Sequence, residues 1–166
     1  MRALSGRKRL VALVFLMAAC GGGKPGDGGT AAPPPAASGA ASGTDLSPFE
    51  LEHGIGPVKD VVTLGPVDQT LLAKGTEVFK GKCTACHKMA EKYVGPALGE
   101  VLTRRTPTYV MNMILNPNEM VERHPVAKQL LAEHMTMMAN QGLSVDDARA
   151  VVEYLRTQAK GTVKTK

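Results

Sequence analysis

Apolar residues in this chain recur at helical spacing. Asp68 stands just before Leu71, Leu72, Val78 and Phe79, which share one side of a helix expected to end near Lys82. A carboxylate in that place accepts from the free amides of a first turn. Near the C-terminus, Ser144 followed three residues later by Asp147 is the reciprocal capping signature of a helix start. Ala148, Val151, Val152 and Leu155 come next, at spacings of 3, 4 and 7 from the first, so they form one stripe. Between these ends, Thr106-Pro107 opens a short helix that Asn116-Pro117 closes, and His124-Pro125 opens another through about Ala132. Proline suits a first turn and breaks an interior, which is why each marks a boundary. No run alternates convincingly every two residues, so the predicted fold class is all-α, with a folded unit over residues 67–160.

Upstream the pattern changes. Arg2, Arg7, Lys8 and Arg9 precede an unbroken apolar run from Leu10 to Ala19, the order of charge and hydrophobicity found in export signals. That run is far short of the roughly 20 residues a membrane span needs. Loss of residues 1–19 takes the 20 basic residues to 16, against 15 acidic, so the mature chain is near neutral. Its basic character belongs to the signal, and no footprint for nucleic acid remains. Residues 20–47 are mostly Gly, Ala, Pro and Ser, a composition too poor in apolar surface to offset chain ordering. They are expected to form a disordered tether spanning roughly 30 Å on average and up to about 95 Å when stretched. Residues 48–66 are expected as an extended strap packed on the folded unit, with His53 facing solvent, and residues 161–166 as a flexible tail.

L-M-A-A-C, Leu16 to Cys20, resembles the lipobox of bacterial lipoproteins, in which the cysteine becomes the acylated first residue. Met17 departs from the leucine usual there, which keeps ordinary cleavage or a retained peptide open. Acylation of Cys20 would remove an unpaired thiol from an oxidising compartment, and stable attachment takes more than one chain of lipid.

The folded unit has a packing problem. Its aromatic residues are Phe79, Tyr93, Tyr109 and Tyr154, with no tryptophan, and short helices on long connections seldom bury enough surface alone. The stretch K-C-T-A-C-H-K-M, Lys82 to Met89, offers a filler. Cys-x-x-Cys-His reads as covalent haem attachment, with two thiols on the porphyrin vinyl groups and the histidine delivered to the iron. A helical turn points Cys83 and Cys86 to one edge and carries His87 one step further round. A thioredoxin-like redox pair wants a strand-helix-strand setting that is missing. Structural zinc wants four ligands, and no second pair stands close by. A plain disulfide leaves the histidine without a role.

From about Gln69 to Lys160 the chain resembles the class I cytochromes c. The likeness lies in A-K-G-x-x-V-F-K-G-K-C-T-A-C-H from Ala73 to His87, in Y-V-G-P-A-L-G from Tyr93 to Gly99, and in a capped last helix containing V-V-E-Y-L-R. It implies about four to five short helices around one covalent haem c. The first and last helices would cross at Gly75, with Phe79 near Val151, Tyr154 and Leu155. The Pro96 carbonyl would accept from Nδ1 of His87, leaving Nε2 for iron.

The resemblance further implies an axial methionine in H-M-T-M-M-A-N-Q-G-L-S, His134 to Ser144. Met138 holds the register of methionine, four residues, then Leu-Ser; Met135 and Met137 are alternatives. His134 is a rival of another type, although a histidine near a helix end usually meets water. Met89, Met111, Met113 and Met120 read as core filler. Arg104, Arg105 and Tyr109, with Asn116, lie where such proteins place donors to the haem propionates. Two filled axial positions imply one-electron transport rather than enzymatic turnover, at a potential raised by the thioether. The implied partners are a quinol-cytochrome c oxidoreductase-type donor and a terminal oxidase or reductase as acceptor. Lys80, Lys82, Lys88 and Lys92 would form a basic rim toward them, interrupted by Glu77 and Glu91. The protein is expected as a monomer, exported, and lipid-anchored on the periplasmic side of a bacterial membrane. Two other functions stay open: a gas sensor or haem enzyme with an open iron, and a fixed cytochrome subunit of a larger membrane oxidoreductase.

Overall fold

A computed structural model describes residues 45–160. The signal segment, Cys20, most of the tether and the tail at 161–166 lie outside the described residues. Among the described residues seven helices follow one another: α1 (Pro48–His53), α2 (Gln69–Lys82), α3 (Val101–Arg104), α4 (Pro107–Leu115), α5 (Pro117–Arg123), α6 (Pro125–His134) and α7 (Val145–Gln158). No strand occurs among the described residues, and no helix among them is long and apolar enough to cross a membrane.

The helix ends form for the reasons the sequence gives. An Asp68 carboxylate oxygen accepts from the amides of Thr70 and Leu71 at 2.8 and 3.0 Å, opening α2. The Ser144 hydroxyl accepts from the Asp147 amide at 3.1 Å while the Asp147 carboxylate accepts from the Ser144 amide at 3.1 Å, opening α7 with a closed capping box. Lys74 of α2 lies 2.7 Å from that carboxylate. The ammonium contact, aided by the bonds to Ser144, holds the Asp147 carboxyl down to about 2.

Six helices occupy residues 67–160, where four to five were expected. Asn116-Pro117 closes α4 and at once opens α5 with the proline at its first turn, so the same proline acts as stop and start. His124 does likewise between α5 and α6, its Nδ1 accepting from the Val126 amide at 3.2 Å. α3 is a single turn of four residues, too short to show a period.

The strap differs from the extended segment expected. It begins as α1, which Ser47 and Glu50 open with a capping box and Gly54 closes at φ +78°. His53 does not face solvent: it is buried, and its Nδ1 lies 3.0 Å from the Thr106 hydroxyl. The remaining strap backbone has no ladder to satisfy it, and buried backbone groups need partners. Side chains of α4 supply them. The fully buried Asn112 amide donates to the carbonyls of His53 and Val58 at 3.0 Å each, and its oxygen accepts from the Val58 amide at 3.0 Å. The Thr108 hydroxyl accepts from the Val62 amide at 2.8 Å.

The main core lies where α2 and α7 cross, with α4 against it. Phe79 and Tyr154 pack ring to ring at 4.9 Å between centroids, and Phe79 shares its cluster with Val151 and Leu155. Glu153 is wholly buried and fully partnered: it accepts from the Asp68 amide at 2.8 Å and meets Arg149 and Arg156. That carboxylate fastens the start of α2 to α7. A smaller cluster of Leu46, Ile55, Tyr109, Met120 and Ala127 lies beneath the strap.

Gly75 sits at the crossing. A Cβ there would stand 1.9 Å from the Ala150 carbonyl oxygen, whereas one at Gly81, near the end of the same helix, would meet nothing within 4 Å. Alanine in place of glycine gains up to about 1 kcal/mol of helix propensity, and overpacking typically costs about 1–3 kcal/mol. Gly75→Ala is therefore expected to destabilise the protein by roughly 1–2 kcal/mol net while Gly81→Ala stabilises it by about 0.5–1 kcal/mol. Denaturant titration of both variants checks this, and equal signs would disprove the close crossing.

Candidate functional site

The last turn of α2 delivers the attachment segment. Cys83 caps that helix, and its carbonyl then accepts from the amides of Cys86 and His87 at 3.1 and 2.9 Å. One tight turn thus groups two thiols with an imidazole. The chain after it doubles back, with Gly95 donating to the Cys86 carbonyl at 2.8 Å, Leu98 to Lys88 at 3.0 Å and Gly99 to Met89 at 2.9 Å.

This return sets the ring of His87. Its Nδ1 lies 3.0 Å from the Pro96 carbonyl oxygen, so the proton belongs on Nδ1 and Nε2 keeps a free lone pair. Gly95 lies flat against the imidazole, where a Cβ would come within 2.5 Å of Cε1. The glycine and the proline of V-G-P therefore do separate jobs: one makes room for the ring and the other orients it.

Cys83, Cys86, His87 and Pro96 line one mainly apolar cavity of about 260 Å³, many times the ~30 Å³ share of a water molecule. Arg104, Arg105 and Tyr109 line it as well. So do Met137 and Met138, but Met135 does not. Met138 is partly buried against the main core, Met137 is 54% exposed, and Met135 is 84% exposed at the left-handed residue that ends α6. The sequence grouped three methionines, and the structure separates them.

Two lining residues were read otherwise from sequence. Met113, taken as core filler, lines the cavity. His134, expected to meet water, lines it too, with a side chain only 4% exposed and Nδ1 without a hydrogen-bond partner. No periodicity signals this burial, because it follows from where α6 ends. Asn116 is not among the lining residues; its amide donates to the Glu119 carboxylate at 2.7 Å.

Electrostatics narrow the chemistry. Burial, helped by neighbouring Cys86, pushes the Cys83 thiol up to about 11, the opposite of the depressed thiol of a reactive redox pair. Among the described residues no three of His, Cys, Asp and Glu gather as a metal-binding group. A thiolate-based zinc or exchange centre finds no support here.

The family model of cytochrome c matches residues 72–159. The chain belongs to the cytochrome c family. It is 50% identical to a cytochrome c from Rhodothermus marinus, over 69% of this chain and 98% of that one, with a TM-score of 0.64. An engineered cytochrome c from the same organism is 48% identical over 69% of this chain and 100% of that one, also at 0.64. A third structure, an engineered form bound to a carbene intermediate (1-ethoxy-1-oxopropan-2-ylidene), is 49% identical over the same shares, at 0.61. No curated protein matches the chain. A cover of 69% of 166 residues is about 115, against 88 in 72–159, and only seven residues follow 159. The likeness therefore extends well upstream of residue 72, into the strap.

Members of this family carry a covalent haem c, and the cavity residues fit one. The two thiols and the oriented imidazole stand on the same wall, and most of the lining is apolar. Tyr109 supplies a further mark: its hydroxyl is buried without a partner, which costs about 1–3 kcal/mol unless a ligand accepts from it. Burial pushes this phenol above its ordinary value, against the pull of Arg105, whose guanidinium lies 5.4 Å from the ring centroid. A haem propionate would accept from the hydroxyl. Arg104 is partly committed, donating to the Ala97 carbonyl at 3.2 Å.

Tyr109 is braced from behind by His124, whose ring meets it edge-on at 5.2 Å between centroids. His124 is buried, and its Nε2 lies 3.2 Å from the Leu51 carbonyl oxygen while Nδ1 accepts from Val126. Both nitrogens are satisfied only in the neutral form. Burial is the main cause that lowers its pKa from 6.5, with Arg105 also disfavouring the cation and the Leu51 bond opposing. The unfolded chain takes up this proton before the folded one does, so stability is complete above 6.5 and falls as pH drops below it. Between pH 7 and 5 the loss from one proton is at most about 1.4 kcal/mol per pH unit. His124→Asn, which keeps an acceptor for the Val126 amide, should flatten that slope. Unfolding free energies measured across the interval check it, and an unchanged slope would sink the assignment.

Proposed function

We propose that this cytochrome c is a one-electron carrier with His87 and Met138 as the axial ligands of a single covalent haem. The observation that carries the reading is that His87, fixed through Nδ1 by the Pro96 carbonyl, and the partly buried Met138 line the same cavity as both thiols. When bound, haem c supplies an Fe(III)/Fe(II) couple, and thioether ligation favours the reduced form. The residues of this chain do the rest. Cys83 and Cys86 would hold the porphyrin edge through thioether bonds, and Pro96 keeps the His87 ring from turning. A ligand that does not move between oxidation states keeps reorganisation small. Tyr109 and Arg105 would meet the propionates, and Val151 and Leu155 keep water from the floor of the cavity.

For partners, we infer a quinol-oxidising donor and a terminal oxidase or reductase as acceptor, with the lysine rim as the meeting surface. Two of the four lysines are partly engaged: Lys88 lies over the Tyr93 ring at 4.9 Å, and Lys92 donates to the Glu133 carbonyl at 3.0 Å. Neither partner is an anion, so all four keep their charge, with Lys80 and Lys82 in the last turn of α2. Cytochrome c domains are typically exported, and the charged-then-apolar leader accords with that. Acylation at Cys20 would hold the domain at a membrane on a tether, as one monomer able to swing between partners.

A second reading, an open iron that binds small ligands, draws on the engineered relative described as bound to a carbene intermediate. Carbon monoxide separates the two, since fast, tight binding to the reduced protein requires an open position. For the carrier, acid-acetone should leave the colour with the polypeptide, and the oxidised protein should show the weak long-wavelength iron-sulfur band, lost in Met138→Ala. A band that survives this substitution moves the ligand to Met137; a band absent from the native protein overturns sulfur ligation.

A further inference from the structure

His134 is the last residue of α6 and is buried where a helix-end histidine would ordinarily meet water. Its side chain is 4% exposed, it lines the cavity shared by Cys83, Cys86 and His87, and its Nδ1 has no partner. An orphaned buried nitrogen costs about 1–3 kcal/mol. On the other side of the ring, Nε2 lies 3.8 Å from the Glu133 carboxylate. That separation is too long for a hydrogen bond, and the tautomer with its proton on Nε2 leaves Nδ1 without a proton. Nδ1 is then a lone-pair donor. A hydrogen bond from Nδ1 to a propionate would need the opposite tautomer.

The place of His134 in the fold points the same way. Lys92 donates to the Glu133 carbonyl at 3.0 Å, pinning the end of α6 to the loop that follows His87. Beyond His134 the chain from residue 135 to 144 has no helix. Met135 takes φ +53°, a left-handed conformation that costs roughly 1–2 kcal/mol for a non-glycine residue. The segment carrying Met137 and Met138 thus makes no helical hydrogen bond, whereas His134 stands at the end of a helix tied to the loop after His87.

We propose that His134 is a reserve axial ligand, its Nδ1 binding iron when the methionine sulfur leaves. The proposal rests on the reading that haem c occupies this cavity with a methionine as sixth ligand. In the exchange the iron-sulfur bond breaks and an iron-nitrogen bond forms. The imidazole binds neutral through its lone pair, so no electron or proton changes hands. Loss of the thioether would lower the potential, giving one protein a high-potential and a low-potential closed state, with the open iron only a transient of the exchange.

The test uses the haem-loaded, full-length protein. A triple variant, Met135→Ala with Met137→Ala and Met138→Ala, removes every sulfur of the cluster, and adding His134→Gln removes the reserve. The triple variant is expected to stay low-spin, with a near-infrared band and paramagnetic resonance of two imidazoles; the quadruple variant is expected to become high-spin. In the reduced state carbon monoxide should bind the triple variant at least about tenfold more weakly than the quadruple one, because the open fraction sets apparent affinity. Should the triple variant fail to load haem, Met138→Ala with and without His134→Gln gives the same comparison. A triple variant that is high-spin, or low-spin in a way His134→Gln does not alter, overturns the proposal. Failure of the underlying reading looks different: acid-acetone strips the colour, or the native protein lacks the iron-sulfur band. If the native protein instead shows the two-imidazole signature and His134→Gln abolishes it, methionine ligation fails and His134 is confirmed as an iron ligand.

Discussion

The contact between α2 and α7 at Gly75 is the constraint from which the site follows. A side chain there would collide with the Ala150 carbonyl, so the two backbones touch, and the helices must diverge on either side of that point. Gly75, Phe79 and Cys83 stand four residues apart and therefore face the same way. One turn past the contact, Phe79 meets Tyr154. At the next step Cys83 reaches the widening gap, with Val151 and Leu155 of α7 among the lining across it. The same crossing that supplies most of the packing thus leaves an apolar space and aims the first thiol into it.

The strap answers a different demand. A chain arriving from a long polar segment must enter the folded unit without leaving buried amides unpaired. The uncharged side chains of α4 and its cap meet that need: Asn112 on both strands of the turn at Gly54 to Val58, Thr108 on Val62, and Thr106 on His53. Gly56 belongs to this arrangement, since a Cβ would stand 2.4 Å from the Asn112 oxygen. Strap and cavity meet at Tyr109, which packs in the small cluster under the strap and lines the cavity as well.

Local chemistry was legible where it is self-contained. The caps at Asp68 and Ser144, the stripe of α7 and the proline openings at 107 and 125 all depend on a few neighbouring residues, and each formed as the sequence implies. The motif at 83–87 and the glycine and proline at 95–96 were legible for the same reason, since one turn and one return loop bring them together. What escaped depends on distant partners. α1 looks extended because its apolar residues are few, yet docking on α4 buries His53. α5 carries a proline at its first turn and Glu119 beside it, signals that Asn116-Pro117 obscures by also ending α4. The burial of the His134 side chain has no local sign at all, because it is set by where five earlier helices leave the end of α6.

The two walls of the cavity are built to different tolerances. On one side His87 is fixed by a carbonyl at Nδ1, a glycine against its face and three backbone hydrogen bonds that close the return loop. On the other, the segment after α6 is held by the Asn140 amide on the Leu115 carbonyl at 3.3 Å and by the Gly142 amide on the Asn140 oxygen at 2.8 Å. An imidazole held in this way stays put by construction. The stretch carrying Met138 has no comparable framework, so the placement of that side chain depends on the packing around it. A change of side chain is therefore accommodated more readily on this stretch, where it does not have to work against a network of backbone bonds.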